Sequence, residues 1–287
     1  MMNKSNSQRR RYVIFCLLLI KSLIIWAIQI INFILGRQRF LAMSPPFIGS
    51  QFFLDRLKKK IIKVKIRNWI DWQTCRQIFY QEDYALAGIQ RNQGIHDCYD
   101  RIIRSKKVPL IIDCGANIGL ASYYFSLTYE ASQILAIEPN EDNLMQAKIN
   151  SSSSVRLFQS AVGSEPGKVD IIDPNLGNSG YRVESAEYGK IEMISINQML
   201  KDFPPNNFSP FIIKIDIEGF ESDLFSKNVE WLSKFPIIII ELHDWMLPGT
   251  ANSNSFLRKI SMLDNDFIIR GENVISISNK LVDVPKK

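Results

Sequence analysis

The sequence has few of the residues that bind transition metals or form disulfides. Its 287 residues include four cysteines and two histidines, His96 and His243, and no two cysteines are spaced as a CxxC pair. Structural zinc sites are built from clusters of these residue types, so the sequence argues against one. The wide spacing of the cysteines also gives no disulfide framework, which favours a reducing compartment.

The first 70 residues nearly lack acidic side chains. They hold 14 lysines and arginines and one acid, Asp55, for a net charge of +13, whereas the rest of the chain carries −7. A nucleic-acid-binding domain has its positive charge on the folded face, so this distribution argues against a nucleic-acid partner. It fits a basic leader that meets anionic lipid, although a solvated basic helix would show the same charge.

A long apolar run follows the basic N-terminus. Tyr12–Leu35 has 24 residues with one charge, Lys21, and is preceded by arginines at positions 9–11. About 20 apolar residues span a bilayer, so the run predicts a membrane anchor. The charge of Lys21 and the polar side chains of Gln29 and Asn32 leave two alternatives open. These are a helix lying in the membrane interface and a helix packed on the main domain.

From Val108 onward, short apolar runs alternate with helical patterns. Runs such as "PIIIIEL" are apolar throughout, as in strands buried on both faces of a sheet. The alternation predicts an α/β fold with a doubly wound, mainly parallel sheet and an antiparallel C-terminal hairpin. We divide the chain into an N-terminal basic and hydrophobic segment (1–44), a connecting or cap segment (45–106) and a Rossmann-like domain (107–287). The stretch Asp55–Trp72 within the connecting segment is expected to be helical or to lie on the surface.

Four acidic residues end predicted strands: Asp113, Glu138, Asp216 and Glu241. Parallel strands bring their carboxyl ends to one edge of the sheet, which is where such sheets bind ligands. An unpaired carboxylate is unfavourable at a buried strand end. Four acids at one edge therefore predict a polar ligand.

The loop after the first of these strands lacks the G-x-G-x-x-G order of a dinucleotide site. Gly115 and Gly119 would let the backbone approach a ligand and turn into a helix. Asp113 would repel a pyrophosphate but attract the ammonium group of S-adenosylmethionine, which has a ribose and no phosphate. Asn117 offers an amide to the carboxylate of that ligand. Glu138, 19 residues after Gly119, is placed to accept hydrogen bonds from ribose hydroxyls. The alternative is that it caps the helix beginning near Asn140 and contacts no ligand.

Between about Gln81 and His243 the chain resembles the FkbM-type methyltransferases. The blocks that carry the resemblance are "LIIDCGANIGLASYYF", "ILAIEPNEDNLMQAKIN", "SAVG", "NSG", "FIIKIDIEGFESDLF" and "IIIIELHDW". The resemblance implies a class I Rossmann-like methyltransferase fold, S-adenosylmethionine as methyl donor and methylation of a hydroxyl oxygen. The N-terminal basic and hydrophobic segment is not part of the family's common core.

The resemblance also implies roles for individual residues. The cofactor-binding residues it implies are Asp113, Gly115, Asn117 and Gly119 at the methionine part, Glu138 at the ribose, Pro139 and Asn140 at the adenosine side, and Ser160 and Ala161 near the adenine. It implies that Asp216, Glu218 and Glu221 line the reaction centre, with Glu241 and His243 on the opposite wall.

A hydroxyl is a poor nucleophile, so its methylation needs alignment and a base. The candidate catalytic residues are Asp216, Glu218 and His243. A divalent cation held by the carboxylates is an alternative way to activate the hydroxyl. His243 has the alternative of a structural residue at its strand end, and Glu221 is expected on the surface of the following helix.

The methyl acceptor is not readable from the sequence, and a glycan, a lipid-linked molecule and a small metabolite all remain open. The donor is made in the cytosol, so we expect a membrane-associated protein with its catalytic domain on the cytoplasmic side, or else a cytoplasmic protein. Two other classes of function remain. One is a nicotinamide-dependent oxidoreductase, and the other is a non-catalytic, membrane-associated binding protein on the same fold.

Overall fold

The computed structural model describes residues 20–45, 47–172, 182–185 and 188–284. The chain forms two compact units, Met1–Glu82 and Asp83–Lys287. Three features of the sequence analysis lie outside the described residues. They are the arginines at 9–11, the first part of the apolar run at 12–19, and the "NSG" block at 178–180.

The first unit contains two α-helices, a π-helical turn and a three-stranded antiparallel sheet. Its elements are α1 (residues 20–34), β1 (Phe40–Ala42), β2 (Gly49–Asp55), β3 (Lys60–Ile66), α2 (Trp69–Cys75) and a π-helical turn at Arg76–Tyr80. Of the two alternatives for Asp55–Trp72, the helix is wrong over Lys60–Ile66, because this segment is β3 and pairs with β2 in a hairpin. Ile62, Val64 and Ile66 are buried while the lysines between them are exposed, and this period of two belongs to a strand.

Gln29 attaches α1 to this sheet. Its side-chain nitrogen donates to the carbonyl oxygens of Phe40 (3.1 Å) and Phe79 (3.2 Å), and its side-chain oxygen accepts from the backbone N–H of Ala42 (3.1 Å). Gln29, a polar residue of the apolar run, therefore forms hydrogen bonds within the first unit. Across the ranges that the structure describes, no helix has both the length and the apolar character needed to cross a membrane.

The second unit contains two sheets and the helices that connect their strands. In chain order its elements are α3 (Asn92–Arg104), β4 (Val108–Cys114), α4 (Leu120–Thr128), β5 (Gln133–Ile137), α5 (Glu141–Asn150), β6 (Val155–Phe158), β7 (Ala161–Gly163), β8 (Gly167–Ile172), β9 (Arg182–Ser185), β10 (Ile191–Ser195), α6 (Ile196–Lys201), β11 (Phe208–Ile215), α7 (Glu221–Leu224), β12 (Ile237–Glu241), α8 (Asn254–Ile260), β13 (Asn265–Arg270) and β14 (Asn273–Ser278).

The larger sheet has seven strands in the order β13-β14-β12-β11-β4-β5-β6. The neighbouring pairs from β12 to β6 are parallel, and β14 is antiparallel to both β12 and β13. The strand order reverses between β4 and β11, so ligands are expected at the carboxyl ends of these strands. The predicted α/β fold with a doubly wound, mainly parallel sheet and an antiparallel C-terminal hairpin is confirmed.

Some predicted boundaries differ from the structure. The second unit begins at Asp83 and includes α3, because Tyr99 of that helix packs its ring 5.3 Å from Phe211 of β11. The segment "VRLFQSAV" contains two strands, β6 and β7, which belong to different sheets. Between Phe220 and Lys234, α7 is followed by a separate 3₁₀ turn at Glu230–Lys234.

Candidate active site

Gly115 lies where the ends of two neighbouring strands meet. Its φ is 79°, and a Cβ atom at this position would lie 1.7 Å from the carbonyl oxygen of Asp216. Gly119, with a φ of 78°, precedes α4, and a Cβ there would lie 2.9 Å from the Cβ of Ala147 in α5. Contacts between backbone elements therefore require both glycines. The sequence had suggested that approach to a ligand was the reason.

Glu138 follows β5 directly and is only 5% exposed. One carboxylate oxygen accepts the backbone N–H of Asn117 (2.8 Å), and the other accepts the backbone N–H of Asn140 (3.0 Å). Burial raises the pKa of Glu138 to about 7, although these hydrogen bonds act in the opposite direction. The side chain of Asn143 donates a third hydrogen bond. A carboxylate can accept about four, so the group can accept a further hydrogen bond from a ligand.

Asn117 borders the same space as Glu138. Its backbone is left-handed, with a φ of 49°, and its side-chain oxygen is buried without a hydrogen-bond partner among the described residues. Buried polar atoms in native proteins are nearly always hydrogen-bonded. A ligand with a donor group would complete the hydrogen bonding of this atom.

Lys214 is a buried cation that the sequence analysis missed. Its Nζ lies 3.1 Å from Asp113 Oδ1 and 3.3 Å from Asp216 Oδ2, and it donates to the carbonyl oxygen of Gly115 (2.7 Å). Burial opposes the ammonium charge, but the two carboxylates outweigh it and raise the pKa of Lys214 well above its usual value. The available signal was a lysine inside the otherwise apolar run "FIIKI".

Asp113 is fully buried beside this lysine. Its second carboxylate oxygen accepts the hydroxyl of Ser122 (2.6 Å), so both oxygens have partners within the protein. We expected Asp113 to attract the ammonium group of a ligand. The structure instead gives the carboxylate an internal cation, Lys214, because a buried carboxylate without one is strongly unfavourable.

Four acidic groups surround His243, whose side chain is 1% exposed. Its Nε2 lies 3.6 Å from Asp216 Oδ1, 3.7 Å from Glu218 Oε2 and 3.6 Å from Glu241 Oε1. On the other side of the ring, Nδ1 lies 2.7 Å from Glu221 Oε1. The other oxygen of Glu221 accepts the side-chain amide of Asn252. The expectation that Glu221 lies on the surface is wrong, because its side chain is fully buried against His243.

The acid cluster has perturbed proton affinities. Burial, followed by the charge of Asp216, raises the pKa of Glu218 to about 8 and that of Glu241 to about 7. Burial works against a charged imidazole, yet the hydrogen bond with Glu221 and the nearby carboxylates raise the pKa of His243 to about 9. Such shifts are concentrated at functional sites.

A cleft of about 550 Å³, which includes space open to solvent, lies beside these residues. Eight predicted site residues line it: Gly115, Asn117, Glu138, Pro139, Ser160, Ala161, Asp216 and Glu218. Five further lining residues were not predicted: Ile137, Asn143, Val162, Val183 and Ile217.

Six predicted site residues are not among the lining residues: Asp113, Gly119, Asn140, Glu221, Glu241 and His243. Asp113 is paired with Lys214, Gly119 packs on α5, and Asn140 caps α5 by accepting the backbone N–H of Asn143 (3.0 Å). His243 lies behind the acidic residues that it contacts.

The comparisons with known proteins give one family and several relatives. The family described as "Methyltransferase FkbM domain" matches residues 113–269, which is more than half of the chain. The methyltransferase sdnD of Sordaria araneosa is 34% identical over 128 residues, covering 42% of this chain and 48% of that protein. The chain therefore spans about half the length of the curated relative it matches.

Solved methyltransferase structures also align with the chain. The O-methyltransferase TomG from Streptomyces achromogenes, solved with S-adenosylmethionine, has a TM-score of 0.35 and 9% identity, covering 65% of this chain and 79% of TomG. The methyltransferase PaMTH1 of Podospora anserina, solved with S-adenosylhomocysteine, has a TM-score of 0.37 and 13% identity, covering 72% of this chain and 85% of PaMTH1.

Proposed function

Since the chain belongs to the FkbM family of methyltransferases, we propose that it transfers a methyl group from S-adenosylmethionine to a hydroxyl oxygen of a glycan, lipid-linked or small-metabolite acceptor. The observation that carries the proposal is one cleft with two chemically different ends. Glu138 and Asn117 offer hydrogen-bond acceptors at one end. The carboxylates of Asp216 and Glu218 lie at the other.

The donor end of the cleft fits an adenosine with a ribose. The carboxylate of Glu138 lines the cleft and retains capacity to accept a hydrogen bond from a ribose hydroxyl group. The buried side-chain oxygen of Asn117 lacks a partner among the described residues and suits a donor group on the ligand. Ala161 and Val162 add apolar surface for the flat adenine ring.

S-adenosylmethionine supplies a methyl group on a positively charged sulfur, which an oxygen nucleophile displaces. The protein's residues have to align the acceptor and take its proton. We assign removal of the proton from the acceptor hydroxyl to Glu218, because its side chain lines the cleft and is 24% exposed. Asp216, which Lys214 holds in place at 3.3 Å, is assigned to orient the acceptor hydroxyl.

Calorimetric titration of the full chain with S-adenosylmethionine and with NAD tests the donor. We expect heat of binding for S-adenosylmethionine alone. Incubation with methyl-tritiated S-adenosylmethionine and pooled hydroxyl-bearing glycans, lipids and metabolites tests the transfer, and mass spectrometry of labelled products identifies the methylated atom. Binding of NAD in preference to S-adenosylmethionine would overturn the proposal, and so would labelled products methylated only on nitrogen or carbon.

Glu138→Gln is expected to weaken binding of S-adenosylmethionine by about ten- to 150-fold. Hydrogen bonds to a charged group contribute about 1.5–3 kcal/mol, and about 1.4 kcal/mol corresponds to tenfold in affinity. Calorimetry measures the loss, and Glu141→Gln is the matched control because Glu141 is exposed on the first turn of α5. Unchanged affinity in a folded Glu138→Gln protein would show that the carboxylate does not contact the ligand.

The same carboxylate predicts a pH dependence of donor binding. The pKa of Glu138 is raised to about 7, so the group takes up a proton as the pH falls through 7. A ligand that needs the carboxylate must then displace that proton. We expect affinity to fall about tenfold from pH 8 to pH 6. The Glu138→Gln protein should lack this dependence, so that any residual slope reports the ligand's own titration.

A further inference from the structure

Two neighbouring strands bring together three side chains of types that can bind a metal ion. Asp216 follows β11, Glu241 ends β12, and His243 lies two residues further on. Because β11 and β12 are parallel neighbours, their carboxyl ends lie at the same edge of the sheet. One potential ligand atom from each residue lies within 4.8 Å of those of the other two.

The orientation of His243 is a second and independent observation. Its side chain is 1% exposed, and Glu221 accepts the hydrogen of Nδ1 at 2.7 Å. This bond directs the other ring nitrogen, Nε2, towards the carboxylates of Asp216, Glu218 and Glu241. At 3.6–3.7 Å these contacts exceed the length of a hydrogen bond, so Nε2 has no hydrogen-bond partner among the described residues.

The bond between Glu221 and His243 is the arrangement that orients histidine ligands in metalloproteins. Such histidines usually donate one ring N–H to a carboxylate, which fixes the ring and makes the other nitrogen a better ligand. Glu221 is itself held by Asn252, so the ring has a further layer of support. A histidine that only caps a strand end would not need this series of buried contacts.

The charges also favour a cation at this point. The oxygen of Asp216 that faces His243 is Oδ1, whereas Oδ2 is the one near Lys214. Each of the three acidic residues around Nε2 is partly exposed, at 18–24%, and Asp216 and Glu218 line the cleft. A proton on Nε2 is the rival source of positive charge, since it would form ion pairs of 3.6–3.7 Å with these carboxylates. A bound cation has to displace that proton.

We propose that Asp216, Glu241 and His243 bind a divalent cation of the first transition row, such as Mn²⁺, at the acceptor end of the cleft. Two carboxylate oxygens and one imidazole nitrogen form a mixed ligand set that suits such ions and leaves coordination positions open. Of the three ligands, Asp216 lines the cleft. Use of the ion to hold an acceptor hydroxyl rests on the proposed function, whereas binding of the ion does not.

Titration of the chelator-treated full chain with Mn²⁺, followed by the electron paramagnetic resonance signal of the free ion, tests the site. We expect one bound ion per chain. Asp216→Asn and Glu241→Gln should each weaken binding at least tenfold, since each removes a charged ligand while keeping its shape. Glu192→Gln is the control, because Glu192 lies on β10 with a side chain 70% exposed.

Asn252→Ala is a second test that leaves all three ligands in place. It removes the amide that supports Glu221, and we expect it to weaken Mn²⁺ binding by about ten- to 100-fold, as for other residues that orient ligands. No Mn²⁺ binding by a wild-type protein that still binds S-adenosylmethionine would overturn the metal site and leave the proposed function intact. Mn²⁺ binding by a wild-type protein that does not bind S-adenosylmethionine would support the metal site and overturn the proposed function. Equal Mn²⁺ affinity in all the ligand variants would overturn this placement of the site.

Discussion

Glu218→Gln should lower the rate of methyl transfer by about 10²–10⁴-fold, the usual contribution of a general base. Glutamine keeps the shape of the side chain but cannot take up a proton. Affinity for S-adenosylmethionine should change by less than about threefold, since the methyl donor contacts we assign lie at the other end of the cleft. The backbone of Glu218 supports this assignment. Its φ of 53° is unfavourable for a non-glycine residue by about 1–3 kcal/mol, and such strain is concentrated at functional sites.

The measurement needs an acceptor from the screen with tritiated S-adenosylmethionine. Initial rates with that acceptor give the loss in turnover, and calorimetry gives donor affinity. Glu165→Gln is the control, because Glu165 is 53% exposed and paired with Lys227 on the surface. Near-normal turnover by Glu218→Gln would mean that another group takes the proton.

Lys214→Met should lower the free energy of unfolding of the second unit by about 3–5 kcal/mol, the usual effect of removing one partner of a buried ion pair. The fully buried Asp113 would lose its cation, and the carbonyl oxygen of Gly115 would lose its donor. Domains are typically stable by only about 5–15 kcal/mol, so the variant would lie close to unfolding.

Urea denaturation followed by circular dichroism measures this loss, with Lys201→Met on the exposed end of α6 as control. Adding Asp113→Asn to Lys214→Met should recover part of the stability, because asparagine removes the buried charge and still accepts the hydroxyl of Ser122. A loss below about 1 kcal/mol in the single variant would show that the ion pair does not anchor the two strands.

The sequence predicted the second unit well because its signals are local. Uninterrupted apolar runs and the strand–helix alternation are properties of neighbouring residues, and they sufficed for the fold class and for the edge at which four acids collect. The first unit shows the limit of such signals. In "KIIKVKI" the lysines recur at two and three residues, so the pattern fits a strand or a helix, and only pairing with β2 selects the strand.

The partners of the site residues were harder to predict, since they depend on register and packing between distant segments. Lys214 meets Asp113 because β11 and β4 pair with these two residues opposite each other. Glu221 occupies the first turn of a short helix, where an acid is usually exposed. It is buried because the chain returns with His243 and Asn252, 22 and 31 residues later. Contacts between segments so far apart in the sequence leave no signal in a local pattern.

The reactivity of the buried cysteines can measure local unfolding in each unit separately. Cys75 lies in the first unit and Cys98 and Cys114 in the second, and all three are buried free thiols. Burial raises the pKa of each of these thiols, so alkylating reagents react with them only when the surrounding structure opens. With Cys16 replaced by serine, mass spectrometry of alkylated peptides would follow the two units separately in one sample. Lys214→Met should then speed the labelling of Cys114 in the second unit. The labelling rate of Cys75, which reports on the first unit, should stay unchanged.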